Sequence, residues 1–419
     1  MKKIAFFGLP GLIFIAALLF IYQLQSQKVM GGQHTVRVGI LHSLSGVMAR
    51  SEQPIVDVVL MAIEEINAKG GVLGRKIVPV IADGKSDEKV FAKEAERLIV
   101  KEKVDVVFGV WTSAARKAVK PIFEKYDHLL FYPVQYEGLE VSPNIIYLGA
   151  APNQQIIPAV KWSFDHLGKR MFLVGSDYIF PRTANEIIRL QVQALGGEIV
   201  GEHYENLQDP DYHHAVQDIV KAKPDVIIST INGDGNIGFF KALRAAGVTP
   251  QTIPVMSFSV SKDLFTPDMT GNYAAWNYFQ SLNSKQNSGF IHRLKARYGQ
   301  DRQASDPVQS AYSGVFLWAK SAERANSTKP HDIQVSRKNT SIPTPGGILN
   351  VDTVTNHVWK RPRIGKINKN GEFDIVWEAP QTIHPNPFPM FKSKSEWALF
   401  LEDLYQGWGQ NWSAQMATK

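Results

Sequence analysis

From Thr35 onward, short runs of β-branched and apolar residues alternate with stretches in which apolar positions recur every three to four residues. That alternation predicts parallel strands covered by helices. Residues 36–41 read as a first strand; Ile55, Val58, Val59, Ala62, Ile63 and Ile66 then fall on one helical face before Gly70-Gly71 stops the helix. Strands follow at 76–81, 104–108 and 129–132, with helices at 90–100 and 115–125 between them. After 147–152 the pattern restarts: strand 170–174, helix 181–195, strand 198–204, strand 225–230, helix 238–246 and strand 252–257. One architecture is used twice. Two further helices, 288–298 and 307–324, send the chain back towards the first unit, so the domains are expected to be discontinuous. A hairpin-like tail from 348 to 377 carries Asn370-Gly371 as its turn.

Composition narrows this picture. A chain of 419 residues exceeds one hydrophobic core, which agrees with two packed units. The net charge of +7 would suit nucleic acid, but Lys and Arg are interleaved with Asp and Glu along nearly every helix-like stretch. Even Lys360-Arg361-Pro362-Arg363 lacks interleaved aromatic residues and reads as a solvated strand, so no nucleic-acid partner is expected. The chain has no cysteine, which excludes disulfides, thiolate metal sites, cysteine nucleophiles and attachment of a lipid through cysteine. Met1-Lys2-Lys3 precedes an uncharged apolar run over residues 4–22 with no small-x-small cleavage site after it. It is an export segment, read as an uncleaved inner-membrane anchor in preference to a cleaved signal peptide, and it puts the remainder in the periplasm or otherwise outside the cytoplasm.

In open α/β sheets ligands bind beyond the carboxyl ends of the strands. The loops there are Ser43-Leu44-Ser45-Gly46, Trp111-Thr112-Ser113-Ala114, Tyr132-Pro133-Val134-Gln135-Tyr136, Ser176-Asp177-Tyr178, Asn232-Gly233-Asp234-Gly235 and Ser257-Phe258-Ser259. Small hydroxyls, aromatic rings and a few carboxylates recur in them. Ser113 stands at a helix start, where backbone N–H groups can take a carbonyl or carboxylate oxygen, or its hydroxyl can cap the helix. Trp111, Tyr132 and Tyr178 can wall a cleft or belong to the core. Asp234, between two glycines, can accept from a ligand or make an Asx-turn. Gly233-x-Gly235-x-x-Gly238 matches a dinucleotide fingerprint, but Asp234 would set a carboxylate against the pyrophosphate, so no nucleotide cofactor is assigned. His213-His214 with His203 are surface histidines and not a metal site, because adjacent helical residues point apart. No catalytic motif is present, and no catalytic residue or cofactor is assigned.

At these loops the chain resembles the type I periplasmic solute-binding proteins, and within them the urea and short-chain amide branch, which holds the receptor subunits of urea importers and the amide sensors of amidase operons. The resemblance is carried by Trp111-Thr112-Ser113-Ala114-Ala115-Arg116-Lys117-Ala118, Tyr132-Pro133-Val134-Gln135-Tyr136-Glu137-Gly138, Ser142-Pro143-Asn144-Ile145, Ala151-Pro152-Asn153-Gln154, Gly175-Ser176-Asp177-Tyr178-Ile179-Phe180-Pro181-Arg182, Asn232-Gly233-Asp234 and Ala275-Trp276-Asn277-Tyr278-Phe279. It implies two Rossmann-like lobes with parallel-sheet cores joined by three crossings, near 147–152, 277–282 and 341–346. The first lobe would comprise 35–148 and 283–342, and the second 149–282 and 343–405. A signal or anchor segment (1–34) would precede them, and a tail (406–419) would follow. It further implies ligand contacts at Trp111, Thr112, Ser113, Tyr132, Val134, Tyr178, Asn232, Asp234 and Ser259. Ser113 and a tyrosine hydroxyl would hold a carbonyl, and Asp234 would accept from amide nitrogens.

The expected function is therefore extracytoplasmic capture of a small polar solute, urea or a short amide, for an ABC permease. The alternative is a membrane-anchored sensor reporting an amide, urea or an amino acid to a signalling partner. An extracytoplasmic hydrolase would need a nucleophile or metal for which the sequence offers no candidate.

Overall fold

A computed structural model describes residues 35–208 and 210–415. The expected anchor over residues 4–22 lies outside the described residues, among which no helix is long and apolar enough to cross a membrane.

The first lobe opens with β1 (Val36–His42), α1 (Ala49–Asn67), β2 (Ile77–Asp83), α2 (Glu88–Glu96), β3 (Val106–Gly109), α3 (Ser113–Lys125), β4 (Leu130–Tyr132) and β5 (Ile145–Tyr147). Its five strands lie in the order β2-β1-β3-β4-β5, all parallel. A parallel strand covered on both faces must be apolar on both: Val36, Val38, Ile40 and Leu41 of β1 are all buried. The α1 stripe from Ile55 to Ile66 is buried as its 3.6 period predicts.

The second lobe contains α4 (Ile156–His166), β6 (Arg170–Ser176), α5 (Ile179–Ala194), β7 (Glu198–Glu205), α6 (His213–Ala222), β8 (Val226–Thr230), α7 (Gly235–Ala245), β9 (Val255–Ser257) and β10 (Tyr273–Trp276). The chain returns to the first lobe with α8 (Lys285–Tyr298), α9 (Asp306–Ala325), α10 (Pro330–Ser336) and the hairpin β11 (Ser341–Thr344) with β12 (Gly347–Asn350). It then re-enters the second lobe with β13 (Arg363–Ile367), β14 (Phe373–Glu378) and α11 (Lys394–Gly407). The second sheet runs β14-β13-β10-β9-β8-β6-β7, with β10, β9, β8, β6 and β7 parallel. The Asn370-Gly371 hairpin adds two antiparallel strands at one edge.

Three passages join the lobes and are tied to one another. The Tyr147 N–H donates to the Asn356 carbonyl (2.9 Å), the Val358 N–H to the Tyr147 carbonyl (3.1 Å), and the Asn277 side-chain amide to the Gln154 carbonyl (2.8 Å). The third passage lies at 358–363, later than the expected 341–346. Ile342, Leu349 and Val351 sit in the first lobe's apolar core, so the β11–β12 hairpin stays with that lobe. Length and turn signals alone do not say which core a hairpin joins.

Candidate functional site

The lobes meet at the carboxyl ends of their strands. The Trp111 indole N–H, from the first lobe, donates to Asn232 Oδ1 in the second (3.2 Å), and the Gln135 side-chain amide donates to the Phe258 carbonyl (2.9 Å). Nearer the rim the Gln208 side-chain amide donates to the Ser86 carbonyl (2.7 Å), and the Asp234 N–H to the Val47 carbonyl (3.3 Å). The cleft is closed.

Its first-lobe wall is built at the start of α3. Thr112, in extended backbone conformation, caps the helix by accepting from the Ala115 N–H (3.2 Å). Ser113 is thereby the first helical residue, and its hydroxyl does not cap. It donates instead to Glu137 and accepts from Arg116 Nη1 (2.8 Å). The Ser113 N–H has no acceptor among the described residues, as expected of a helix's first N–H groups.

One turn along α3, Arg116 is wholly buried. It pairs with Glu137 (2.8 Å) and Glu140 (3.0 Å), and its guanidinium lies over the rings of Tyr136 (4.4 Å) and Tyr132 (5.1 Å). Lys117 holds the other Glu140 oxygen (3.0 Å). Two cations and two carboxylates balance, which is the condition for burying them. Gly138 and Leu139, both with positive φ (77° and 59°), turn the backbone between the two glutamates so that both reach Arg116. A Cβ on Gly138 would stand 2.2 Å from the Pro387 carbonyl oxygen, which leaves room for glycine only.

Burial disfavours the Glu140 carboxylate, yet Lys117 and Arg116 outweigh it and hold the group well below the usual carboxylate range. Burial likewise opposes the Arg116 charge, and Glu137 with Glu140 more than restore it.

Three tyrosine hydroxyls around this cluster are engaged inside the protein: Tyr132 donates to the Trp111 carbonyl (2.6 Å), Tyr147 donates to the Glu140 carboxylate (2.8 Å), and Tyr136 lies against both His357 Nε2 and the Glu140 carbonyl (3.0 Å). Tyr178 comes from the second lobe. It is buried, its titration is pushed up by burial, with Tyr132 and Glu137 adding to the rise and Arg116 opposing it, and its hydroxyl makes no hydrogen bond among the described residues. An unpartnered hydroxyl thus faces a charge-balanced cluster from across the cleft.

The expected residues separate into groups. Trp111 with Asn232, and Ser113 with Tyr132 and Tyr178, gather at the lobe junction. Thr112 is half-buried and lines a polar cavity of about 320 Å³ at the cleft mouth. Val134 packs in the first lobe's core. The Ser259 hydroxyl donates to the Ile231 carbonyl and accepts from the Asn236 amide (3.2 Å), behind the Asn232 loop. Asp234 does not reach the interior: it is half-buried at the rim, paired with Arg50 of the first lobe at 3.2 Å.

Sequence reasoning missed Arg116, Lys117, Glu137, Glu140 and His357. The i,i+3 spacing from Ser113 to Arg116 puts both on one helical face, and that signal was available. His357, just before the third passage, stacks on Tyr147 (centroids 4.2 Å apart), and nothing local marks it. Among the described residues no cluster can hold a metal.

The chain belongs to the periplasmic binding protein domain family, whose model matches residues 36–394. Membership implies an extracytoplasmic location and solute binding. Among curated proteins, the limonene hydroxylase of Geobacillus stearothermophilus is 34% identical over 117 residues, 28% of this chain and 21% of that one, so the chain spans about a fifth of that relative's length. The Leu/Ile/Val-binding protein homolog 6 of Brucella melitensis is 21% identical over 309 residues, covering 72% of this chain and 79% of that one. Among solved structures, the solute-binding protein of an ABC transporter from Rhodopseudomonas palustris BisB5, in complex with 3,4-dihydroxybenzoic acid, is alike in fold. It has a TM-score of 0.73 at 22% identity and covers 82% of this chain and 97% of that one.

Proposed function

We propose that the closed cleft takes a small uncharged solute, urea or a short-chain amide, for delivery to an ABC importer. The observation that carries this reading is the pairing of two unengaged polar groups with fully engaged charges. Among the described residues the Ser113 N–H and the Tyr178 hydroxyl have no partners, while Arg116 and Lys117 are already neutralised by Glu137 and Glu140. A carboxylate ligand would bring an extra negative charge among cations already committed, and an isolated buried charge costs several kcal/mol. A carbonyl oxygen needs donors only.

In this reading the Ser113 N–H and the Tyr178 hydroxyl hold the carbonyl. Glu137 accepts from the amide nitrogens, since a carboxylate offers about four lone-pair directions and two are engaged here. Trp111 and Tyr178 exclude water. Asp234, first expected to bind those nitrogens, becomes instead a rim contact to Arg50 that favours closure.

Calorimetry on residues 35–415 with urea, formamide, acetamide, benzoate and leucine tests the proposal. Binding of one or more of the amides with neither carboxylate bound supports it. Binding of benzoate or leucine, with all three amides silent at millimolar concentration, sinks it in favour of the ligand chemistry named for the similar proteins.

A further inference from the structure

The carboxyl-terminal segment after α11 runs back across the closed cleft. Helix α11 is rooted in the second lobe, where Trp397 and Leu401 join its apolar core. Beyond it, the chain pairs with the loop that carries Tyr178. The Ile179 N–H donates to the Trp412 carbonyl (3.0 Å), the Ala414 N–H donates to the Asp177 carbonyl (3.0 Å), and Tyr178 and Ser413 form an antiparallel bridge. The Asn206 side-chain amide donates to the Ala414 carbonyl (3.1 Å).

The same segment reaches the first lobe. The Trp412 backbone N–H donates to the Glu88 carboxylate (3.4 Å), the Lys117 ammonium lies 5.2 Å from the centre of the Trp412 ring, and the Tyr405 ring packs against that ring with centroids 4.5 Å apart. Lys117 is also the cation that holds Glu140 in the cluster behind Ser113. Ser413 to Gln415 form one side of the polar cavity at the cleft mouth, opposite Thr112 and the start of α2.

We propose that this segment is a strap that holds the lobes closed, and that Trp412 is a positioning residue for the binding site. It fixes the backbone of Tyr178 from one side and touches Lys117 and Glu88 on the other. Contacts to both lobes that exist only when the lobes meet stabilise the closed form alone, which shifts the opening equilibrium. Solute leaving through the mouth cavity must pass the strap. The strap's effect on Tyr178 rests on the ligand reading above; its effect on lobe opening does not.

Two measurements separate these. The protein lacks cysteine, so single cysteines at the exposed positions Lys103 in the first lobe and Lys221 in the second can carry spin labels without background. The inter-label distance distribution of the ligand-free full chain is compared with that of a chain ending at Gln410, and with that of Trp412→Ala, which keeps the backbone pairing. Both variants are expected to broaden the distribution towards longer distances, and acetamide is expected to dissociate about tenfold faster from them, a coupling of ordinary size. An unchanged distance distribution overturns the strap, and should the truncated chain fail to fold, Trp412→Ala alone decides. If the full chain binds no acetamide, the amide reading falls while the distance measurement still tests the strap.

Discussion

The indole N–H of Trp111 donates to Asn232 Oδ1 at 3.2 Å, and the two residues stand on opposite lobes with both side chains buried. This hydrogen bond can exist only in the closed form. Opening the lobes returns both groups to water, while removing one partner leaves the other desolvated whenever the lobes close. Asn232→Ala therefore weakens closure by about 1–3 kcal/mol, the cost of an unsatisfied buried donor. Solute affinity measured by calorimetry is expected to fall about five- to 150-fold, with the melting temperature of the ligand-free protein little changed. An affinity equal to that of the parent would show that the bond does not bias closure.

The Arg116 cluster predicts a different kind of loss. Arg116→Ala leaves Glu137 and Glu140 buried with only Lys117 nearby. Breaking a buried pair by removing one partner costs about 3–5 kcal/mol, so guanidinium chloride unfolding is expected to shift to markedly lower denaturant. Guanidinium chloride is preferable to urea, because urea is a candidate ligand. Arg116→Lys should recover only part of the loss, since an ammonium cannot fork between two carboxylates as a guanidinium does.

These two cases mark what was legible in the sequence. The alternation of strands and helices was, because the buried parallel strands and the α1 stripe leave unmistakable periods. So were Trp111, Ser113, Tyr132, Tyr178 and Asn232 as residues that meet at the junction, since topology alone sends strand-end loops there. The pairing of Arg116 with Glu137 and Glu140 was not, because buried charges read as solvated faces until their partners are known. Asp234 shows a local effect that the sequence does not carry: it stands in the strand-end loop with Asn232, yet its carboxylate turns to Arg50 at the rim. The place of the third passage depended on which core receives Ile342 and Leu349, a question of packing and not of pattern.

His357 links the hinge to pH. Its Nδ1 faces the Thr355 carbonyl (2.7 Å), which leaves Nε2 to accept from the Tyr136 hydroxyl, and burial lowers its pKa from 6.5 to about 4. A histidine depressed in the folded state is neutral there, so its contribution is fully present above pH 6.5. It is lost as pH falls from 6.5 through about 4, by on the order of 3 kcal/mol in total. Glu140, held down by Lys117 and Arg116, adds a loss of the same sign, beginning only below its ordinary value of 4.5. Stability measured by guanidinium unfolding from pH 7 to pH 4 should therefore decline, and His357→Phe should flatten the limb between pH 6.5 and 4.5. An equally steep limb in that variant would assign the decline elsewhere.

Gly233 offers a way to block closure without touching a polar group. It lies in the second lobe with φ of 61°, and a Cβ there would stand 2.8 Å from both the Met48 sulfur and the Val47 carbonyl oxygen of the first lobe. Those are distances at which something must shift, and one of the two neighbours is backbone. With the lobes apart the added methyl meets neither, so Gly233→Ala carries in the open form only the strain of a left-handed non-glycine residue, about 1–2 kcal/mol. The closed form bears the clash in addition. The variant is thus expected to fold with a nearly unchanged melting temperature, to occupy longer inter-lobe distances, and to bind solute at least tenfold more weakly. Normal affinity in Gly233→Ala would mean that the lobes close on solute with the Asn232 loop displaced from Val47.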